Sequence, residues 1–308
     1  MDILVLGGSG QVGTELQRLA WPEGVTVHSP SRACLDLTDE ISTVRAISAR
    51  NWSAVINAAA YTAVDKAESE IQAAWRLNAL MPAILAAETA RRGIPLVHVS
   101  TDYVFDGKAD RPYAESDPVA PLGVYGASKE AGEQAVRSGN PHHAIVRTAW
   151  LVSPHRTNFV KTMLRLAGER DRLRVVSDQR GCPTSAADLA SALATIALRL
   201  AQDLSSPCGT YHAVNAGETT WYEFAREITT QAARRGARTA PVEAISTADF
   251  PTPAKRPRNS RLSTDKLNRD YGLSMRRWQS ALSEILDQLI GSVLARNPRS
   301  GDIRYVAE

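Results

Sequence analysis

The chain has 308 residues, and its 36 Lys and Arg against 33 Asp and Glu give a formal net charge of +3 at pH 7. A hydrophobic content of 44% allows a fold of this length to bury about three quarters of its unfolded surface, in one large domain or two unequal ones. The 19 glycines and 16 prolines form no low-complexity stretches, which argues against disordered, collagen-like and repeat architectures. Because the basic residues are not clustered either, we expect no nucleic-acid partner.

The three cysteines, Cys34, Cys182 and Cys208, are odd in number and far apart, so the sequence predicts neither a disulfide framework nor a zinc site. The N-terminus lacks the basic segment and long apolar run of a signal peptide. The uncharged run at residues 51–64 is too short to span a membrane. We therefore expect a cytoplasmic protein with no membrane partner.

The first half of the chain alternates short apolar runs with amphipathic stretches. The runs predict buried strands at residues 3–6, 25–28, 54–57, 96–99 and 144–146, and helical patterns lie at 11–20, 39–50, 67–92 and 125–138. Parallel strands need crossover connections, which helices usually provide. This alternation therefore predicts an α/β fold with a Rossmann-type, doubly wound parallel sheet.

The second half keeps helical patterns but has fewer and more scattered strands. The predicted helices lie at residues 159–168, 185–202, 221–235 and 278–290. We therefore expect an NAD(P)-binding domain over residues 1–150 and a smaller, mixed α/β substrate-binding lobe over 151–290, from which segments can return to the first domain. Residues 291–308 show little periodicity and are expected to form a flexible tail.

A glycine-rich segment, Gly7-Gly8-Ser9-Gly10-Gln11-Val12-Gly13, joins the first predicted strand to the first predicted helix. In a dinucleotide site, Gly7 would permit the tight turn, Gly10 the approach of the pyrophosphate, and Gly13 the packing of helix on strand. The helix N-terminus adds free N–H groups and partial positive charge. The segment therefore predicts a dinucleotide site, with a glycine-rich turn that binds nothing as the alternative.

The segment after the second predicted strand is where such folds select their cofactor, since an acid there binds ribose hydroxyls and a base accepts a 2′-phosphate. Ser29, Ser31 and Arg32 lie there, without an acid. Arg32 favours NADPH, with NADH as a second cofactor, although a solvated loop arginine is an equal interpretation. Asp36 either approaches the adenine or caps the next helix.

Tyr125 and Lys129 lie four residues apart on a predicted helix, so their side chains share one face. An adjacent ammonium favours phenolate, and we expect it to lower the pKa of Tyr125 from about 10 by about one to three units. Such a tyrosine can exchange a proton with a carbonyl or an alcohol near neutral pH. The hydroxyl of Thr101, at the end of the fourth predicted strand, would bond the same substrate oxygen.

Further segments extend this pattern at residues 57–68 (NAAAYTAVDKAE), 100–105 (STDYVF), 147–150 (RTAW), 158–159 (NF), 178–184 (DQRGCPT) and 256–260 (RPRNS). Together with the glycine loop and the Tyr-Lys pair, they resemble the extended short-chain dehydrogenase/reductase superfamily. Within it, they resemble the dTDP-4-dehydrorhamnose reductase family over residues 1 to about 290. The resemblance implies reduction of dTDP-4-dehydro-β-L-rhamnose to dTDP-β-L-rhamnose, which supplies the sugar donor for bacterial surface polysaccharides.

The resemblance also implies residue roles. Tyr125 would be the proton donor, Lys129 its electrostatic partner and a ligand of the nicotinamide ribose, and Thr101 would tune the proton transfer. The other implied cofactor-binding residues are Gln11 and Val12 at the pyrophosphate, Asp36 and Leu37 at the adenine, and Ala60, Tyr61 and Thr62 near the nicotinamide. The implied substrate-binding residues are Thr101, Asp102, Trp150, Asn158 and Arg256.

Some implied features differ in this chain. Tyr61 stands where the family often has His. Trp150 could instead pack in the core and Arg256 could be a loop charge, although a tryptophan face suits a sugar and a base suits a diphosphate. Some family members dimerise through magnesium held by acidic side chains, and only Glu15 matches, since the second position is Ala187. We expect a monomer or homodimer without bridging magnesium, and no metal site.

Two other functions stay open. An NDP-sugar epimerase or dehydratase on the same scaffold would hold NAD tightly, but Thr101-Asp102-Tyr103 lacks the Asp-Glu pair that a dehydratase needs. A non-catalytic, regulatory NADP-binding subunit would keep the fold alone. The presence of both Tyr125 and Lys129 argues against this last class.

Overall fold

The computed structural model describes residues 1–203 and 205–296. Its strands, in chain order, are β1 (Asp2–Leu6), β2 (Thr26–His28), β3 (Ala54–Asn57), β4 (Leu96–Thr101), β5 (His143–Thr148), β6 (Leu151–Val152), β7 (Leu173–Val176), β8 (Arg180–Gly181), β9 (Thr184–Ser185), β10 (Gly209–His212), β11 (Thr219–Thr220) and β12 (Val242–Ile245). Its helices are α1 (Gln11–Arg18), α2 (Glu40–Ser48), α3 (Val64–Ala67), α4 (Ile71–Trp75), α5 (Met81–Ala90), α6 (Val124–Gly139), α7 (Phe159–Glu169), α8 (Ala186–Gln202), α9 (Trp221–Arg234), α10 (Asp265–Tyr271) and α11 (Trp278–Arg296). None of these helices is long and apolar enough to cross a membrane.

Six parallel strands form the central sheet in the order β2-β1-β3-β4-β5-β10. In register, Ile3 of β1 lies between Val27 of β2 and Ala54 of β3. The strand order reverses at β1 and β3, so the loops after these two strands leave in opposite directions and open a crevice at the carboxyl edge of the sheet. The predicted doubly wound parallel sheet is confirmed.

Helices cover both faces of this sheet because its strands are apolar on both sides. One face packs Ile3, Val5 and Val146 against α1 and α8, while the other packs Leu4 and Leu6 against α2, α5 and α6. β1, β3, β4 and β5 are almost fully buried, as expected for parallel strands between two helical layers.

A second core lies between α7, α9 and α11, beside the two-stranded parallel sheet of β7 and β12. Two later segments return from this lobe to the central sheet. α8 packs on α1, and β10 joins β5 at the sheet edge. Residues 291–296 continue α11 rather than beginning the predicted tail. The rest of that tail, residues 297–308, lies outside the described residues.

The helix predicted over residues 67–92 is present over 71–90, where α4, a π-helical turn at Arg76–Leu80 and α5 follow one another without interruption. Residues 68–70 separate it from the short α3. Pro82, at the start of α5, has no N–H to donate to the carbonyl of Asn78 four residues earlier. That carbonyl instead packs against α6 at Gly132, where a Cβ would lie only 2.1 Å from it. π-helical turns of this kind are frequent at functional sites.

Candidate active site

A cleft of about 520 Å³ opens at the carboxyl ends of β1, β2 and β3, where the strand order reverses. Most of the predicted cofactor-binding residues line it, namely Gly7, Gly10, Gln11, Val12, Arg32, Asp36, Leu37, Ala60 and Thr62. The other four predicted cofactor-binding residues do not line it: Gly13, Tyr61, Tyr125 and Lys129. The cleft is therefore formed by three loops that follow adjacent strands, as the sequence predicts for a dinucleotide site.

The glycine loop leaves no room for side chains. Gly7 has φ +83°, and a Cβ there would lie 2.6 Å from the backbone nitrogen of Ala59. A Cβ on Gly13 would lie 2.2 Å from the Gly7 carbonyl oxygen, so Gly13 serves the close packing of α1 under the loop. No side chain caps the N-terminus of α1 at Gly10, which leaves its first N–H groups to an anion. The donor set and the space fit a dinucleotide pyrophosphate.

The loop after β2 forms the other wall of the cleft. Arg32 is largely exposed, and its guanidinium lies 3.9 Å from the Asp36 carboxylate. Asp36 accepts hydrogen bonds of 2.9 Å from the backbone N–H and the hydroxyl of Thr38, which lower its pKa. The N-cap of α2 is Asp39 and not Asp36. Asp36 thus holds its own turn and faces the cleft with a charged carboxylate.

The loop after β3 is held by Asn78, which the sequence analysis missed. Its amide oxygen accepts from the N–H of Tyr61 at 2.8 Å, and its amide nitrogen donates to the Tyr61 carbonyl at 3.0 Å and to the Ser128 hydroxyl at 3.1 Å. Ser128 in turn donates to the carbonyl of Tyr125. One buried amide therefore connects the cleft to the helix of the predicted catalytic pair.

Tyr61 itself points away from this connection. Its hydroxyl donates to Glu70 at 2.6 Å, and this bond raises the pKa of Tyr61 to about 12. Asn78 therefore fixes the backbone of Tyr61, while its side chain is bound to Glu70. A polar residue inside an otherwise apolar helical pattern, as Asn78 is, was the available sequence signal for this anchor.

The three predicted catalytic residues meet at the end of β4. Thr101 is the last residue of that strand, and Tyr125 and Lys129 lie on the first turns of α6. The Thr101 side chain is hydrogen-bonded to the Tyr125 phenol and donates to a carboxylate oxygen of Asp102 at 3.1 Å. The Lys129 ammonium is buried and donates to the Val99 carbonyl at 2.7 Å.

The electrostatics of this pair differ from the expectation. Burial raises the pKa of Tyr125 to about 12, and the Asp102 carboxylate adds to this, while the bond with Thr101 opposes it. Burial also lowers the pKa of Lys129 to about 8, against the attraction of Glu133. The expected lowering of the Tyr125 pKa by Lys129 is wrong, because the ammonium is directed at Val99 and desolvation outweighs its effect. Tyr125 is therefore a protonated phenol at neutral pH.

A buried charge cluster supports the same corner of the sheet. The carboxylate of Glu133, one turn beyond Lys129, accepts two hydrogen bonds from Arg147 of β5, at 2.9 and 2.7 Å, and one from Ser100 at 2.5 Å. Ser100 directly precedes Thr101. The cluster therefore fixes α6, β4 and β5 relative to one another beneath the predicted catalytic side chains. It also pairs buried charges that would otherwise be unfavourable.

Asp102 is buried at 3% exposure, and one of its carboxylate oxygens has no hydrogen-bond partner among the described residues. Burial raises its pKa to about 6, although contacts with Ser260 and Thr101 oppose this. The ring of the next residue, Tyr103, packs edge-on against Tyr125 with ring centroids 5.5 Å apart. An unsatisfied carboxylate oxygen beside the predicted catalytic hydroxyls suits a polar ligand group.

Trp150 has φ +48°, an uncommon backbone conformation for a bulky side chain. Its ring stacks on Trp221 with centroids 3.5 Å apart, and a Cβ on Gly181 would lie 2.3 Å from it. The indole is thus held by protein groups, in line with the packing alternative. Its strained backbone is nevertheless of the kind found at functional sites.

Two predicted substrate-binding residues are engaged in contacts between distant segments. Asn158 caps α7 and donates to the Gln11 side chain at 3.0 Å, which ties the second lobe to the glycine loop. Arg256 forms two hydrogen bonds to Asp65, at 3.0 and 2.8 Å, and lies on the loop before α10. Asp65 therefore offsets the charge of Arg256, and the expected contact of this base with the diphosphate stays a prediction.

Sequence reasoning also missed part of the cleft wall. Arg156 and Thr157, from the loop between β6 and α7, line the cleft together with Leu77 from the π-helical turn. Glu15, the residue that matched a magnesium ligand, lies 3.2 Å from the His155 ring. Within the described residues, no group of three or more His, Cys, Asp or Glu side chains could hold a metal ion.

Residues 1–290 match the family described as RmlD substrate binding domain. The chain belongs to this family. It is 42% identical over 291 residues to the dTDP-4-dehydrorhamnose reductase of Sinorhizobium fredii, covering 94% of this chain and 98% of that one. The enzyme of the same name from Salmonella typhimurium is 42% identical over 295 residues, with the same coverage. The resemblance inferred from the motifs is confirmed.

Solved structures agree with this assignment. The family member from Clostridium acetobutylicum, a dTDP-4-dehydrorhamnose reductase, superposes with a TM-score of 0.88 at 39% identity, covering 94% of this chain and 99% of that one. The Bacillus anthracis reductase in complex with NADP gives 0.87 at 35% identity, with 93% and 99% covered. A UDP-glucose 4-epimerase from Thermus thermophilus, at 20% identity and 0.75, shares the fold alone.

Proposed function

We propose that this family member is a dTDP-4-dehydrorhamnose reductase, an NADPH-dependent oxidoreductase of nucleotide-sugar biosynthesis. It reduces the C4 keto group of dTDP-4-dehydro-β-L-rhamnose to give dTDP-β-L-rhamnose. The observation that carries the proposal is the meeting of Thr101, Tyr125 and Lys129 at the end of β4, next to a cleft suited to a dinucleotide, in a chain that matches the reductases over almost its full length.

NADPH supplies the hydride when it is bound. We assign the proton to Tyr125, which is a neutral phenol at pH 7 because its pKa lies near 12. A carbonyl oxygen that gains negative charge becomes basic enough to take this proton. The Thr101 hydroxyl, turned from Asp102, then donates to the phenolate that remains and stabilises it. A positioned acid of this kind contributes about a hundred- to ten-thousand-fold, and orientation of the reacting groups must supply the rest.

We assign electrostatic support to Lys129, whose ammonium is held beneath the site by the Val99 carbonyl. For the substrate we propose Asp102 as the primary polar contact, since its unpartnered carboxylate oxygen lies beside Thr101. Trp150, Asn158 and Arg256 remain proposed substrate-side residues. Their present contacts support roles in shaping the substrate site more than direct recognition by free groups.

The two ligands are assigned to different parts of the chain. We propose that residues 1–150 bind the dinucleotide and that residues 151–290 grip the nucleotide sugar, with α8 and β10 returning to the first domain. We also propose that the enzyme works in the cytoplasm as a monomer or homodimer without bridging magnesium. The three free cysteines support a reducing compartment.

The deciding assay adds dTDP-4-dehydrorhamnose to the purified protein and NADPH and follows the absorbance of the reduced nicotinamide. The proposal requires stoichiometric loss of NADPH and appearance of dTDP-rhamnose in the products. An epimerase with tightly held NAD, or a non-catalytic NADP-binding subunit, would consume none. The same assay with NADH, run in parallel, measures the preference for the 2′-phosphate, which Arg32 is expected to recognise.

A further inference from the structure

Arg156 has an unusual backbone and an unusual position. Its φ is +56°, in the left-handed region that favours glycine, so an arginine there carries backbone strain that a glycine would avoid. The residue belongs to the loop between β6 and α7, in the second lobe. Its side chain nevertheless lines the cleft that the first-lobe glycine loop forms.

The guanidinium of Arg156 is held at the tip of the glycine loop. Its Nε donates to the carbonyl of Ser9 at 2.6 Å, 147 residues earlier in the chain. This bond uses one of the five N–H donors of the guanidinium and fixes its plane against the loop. Among the described side chains, no carboxylate lies within ion-pair distance of it. The charge is therefore uncompensated at the mouth of an anion site.

The loop that carries Arg156 is itself anchored to the glycine loop. The side-chain oxygen of Gln11 accepts from the Ser153 hydroxyl at 2.7 Å and from Asn158 at 3.0 Å, on either side of Arg156. Gln11 is the first residue of α1, so these bonds place the loop over the helix end whose N–H groups face the cleft. Arg156 is thus directed at the phosphate-binding end and not at the ribose wall.

Arg32, the other base of the cleft, differs from Arg156 in its ion pairing and in its position. Arg32 lies on the loop after β2 and faces the carboxylate of Asp36 at 3.9 Å, which offsets part of its charge. It is 81% exposed and belongs to the wall where a 2′-phosphate would lie. The two arginines therefore serve different anionic groups.

We propose that Arg156 is a second-lobe ligand of the dinucleotide pyrophosphate, which adds a guanidinium to the backbone N–H groups of the glycine loop. This assignment rests on the proposed function, since it requires that the cleft bind NADPH. Arginine pairs with phosphate through two parallel N–H bonds, and such charge-assisted bonds are about twice as strong as neutral ones. The strain at φ +56° is then maintained because the side chain serves the ligand.

The test measures dissociation constants by fluorescence titration for Arg156→Asn, because asparagine tolerates the left-handed conformation and lacks the charge. We expect NADPH, NADH and ADP-ribose, which all carry the pyrophosphate, to bind roughly tenfold more weakly, equivalent to about 1.4 kcal/mol. We expect 2′-AMP, which carries only the ribose phosphate, to bind as to the unmodified protein. Arg172→Asn removes an exposed arginine outside the cleft and should change none of these constants.

Arg156→Gly gives a second route, since glycine adopts φ +56° without strain, and it should reproduce the weaker binding without loss of thermal stability. The proposal would be overturned if both variants bound all four ligands with the same dissociation constants as the unmodified protein. A loss confined to NADPH and 2′-AMP would also overturn it, because that pattern assigns Arg156 to the 2′-phosphate. Failure of the unmodified protein to bind NADPH or to consume it with substrate would instead refute the proposed function itself.

Discussion

Asp102 offers a test of the electrostatics at the centre of the site. Replacing it with Asn removes the charge and leaves the shape nearly unchanged. Burial raises the pKa of this carboxyl from 3.8 to about 6, and each pKa unit corresponds to about 1.36 kcal/mol. The ionised carboxylate therefore costs the folded protein roughly 3 kcal/mol above pH 6.

The sign follows from proton binding. Between pH 3.8 and about 6 the folded state holds more protons on Asp102 than the unfolded state, so stability falls as the pH rises. Roughly 2 kcal/mol of this loss develops between pH 4.5 and pH 8. Asp102→Asn should lack that loss of unfolding free energy. Any cost of placing an amide at this position is independent of pH and therefore cancels when different pH values are compared.

The assay is urea unfolding of the cofactor-free protein at several pH values from 4.5 to 8, for the unmodified chain and for Asp102→Asn. The difference in unfolding free energy between the two should shift by roughly 2 kcal/mol across this range, in favour of the variant at high pH. Asp171→Asn, at a fully exposed carboxylate, is the control and should change stability by less than about 0.5 kcal/mol at either end. Parallel curves for the unmodified chain and Asp102→Asn would refute the argument that burial controls this carboxyl.

Four further outcomes are expected. Tyr125→Phe should lower kcat about a hundred- to ten-thousand-fold, while the NADPH dissociation constant stays within about twofold. Tyr103→Phe removes the neighbouring hydroxyl and should retain most turnover, so equal kcat values for the two variants would refute the proton-donor assignment. The kcat/KM profile should fall above about pH 8 as Lys129 loses its proton, and Lys129→Arg should move that limb to higher pH if the ammonium is the cause. Gly7→Ala should abolish NADPH binding in a titration, because the new Cβ meets backbone at 2.6 Å and φ is +83°; normal binding would show that the loop can rearrange. Asn78→Ala leaves the buried backbone N–H and carbonyl of Tyr61 unpaired. It should lower the unfolding free energy by roughly 1–3 kcal/mol and weaken NADPH binding. An unchanged denaturation midpoint would contradict the anchoring role of Asn78.

The elements that could be predicted from the sequence are those with local signals. The strand before Gly7 and the helix after Gly13 are defined by an apolar run, closely spaced glycines and a helical period, and all three lie within twenty residues. The helix of Tyr125 and Lys129 carries its own period as well. The apolar run of the fourth predicted strand placed Thr101 at a strand end, where the structure also has it.

The features that could not be predicted depend on distant partners. Asp65 and Arg256 are 191 residues apart, and nothing near either residue indicates that one neutralises the other. Burial of the site, which decides the pKa of Tyr125, is likewise a property of the assembled fold and not of the Tyr-Lys spacing. The π-helical turn at Arg76–Leu80 had a local signal in Pro82, but the sequence-based prediction treated the long apolar period around this proline as one regular helix.

The return of α8 and β10 to the first domain determines when that domain can fold. Leu189 and Leu193 of α8 share one core with Ile3 and Val5 of β1, and β10 covers the outer edge of β5. A nascent chain that has reached only residue 150 therefore carries an open sheet edge and an uncovered apolar face, both of which promote aggregation. We therefore expect residues 1–150 not to mature ahead of the rest of the chain during synthesis. A fragment cut at residue 150 should be recovered in inclusion bodies, whereas one extended past α10 would retain all six strands.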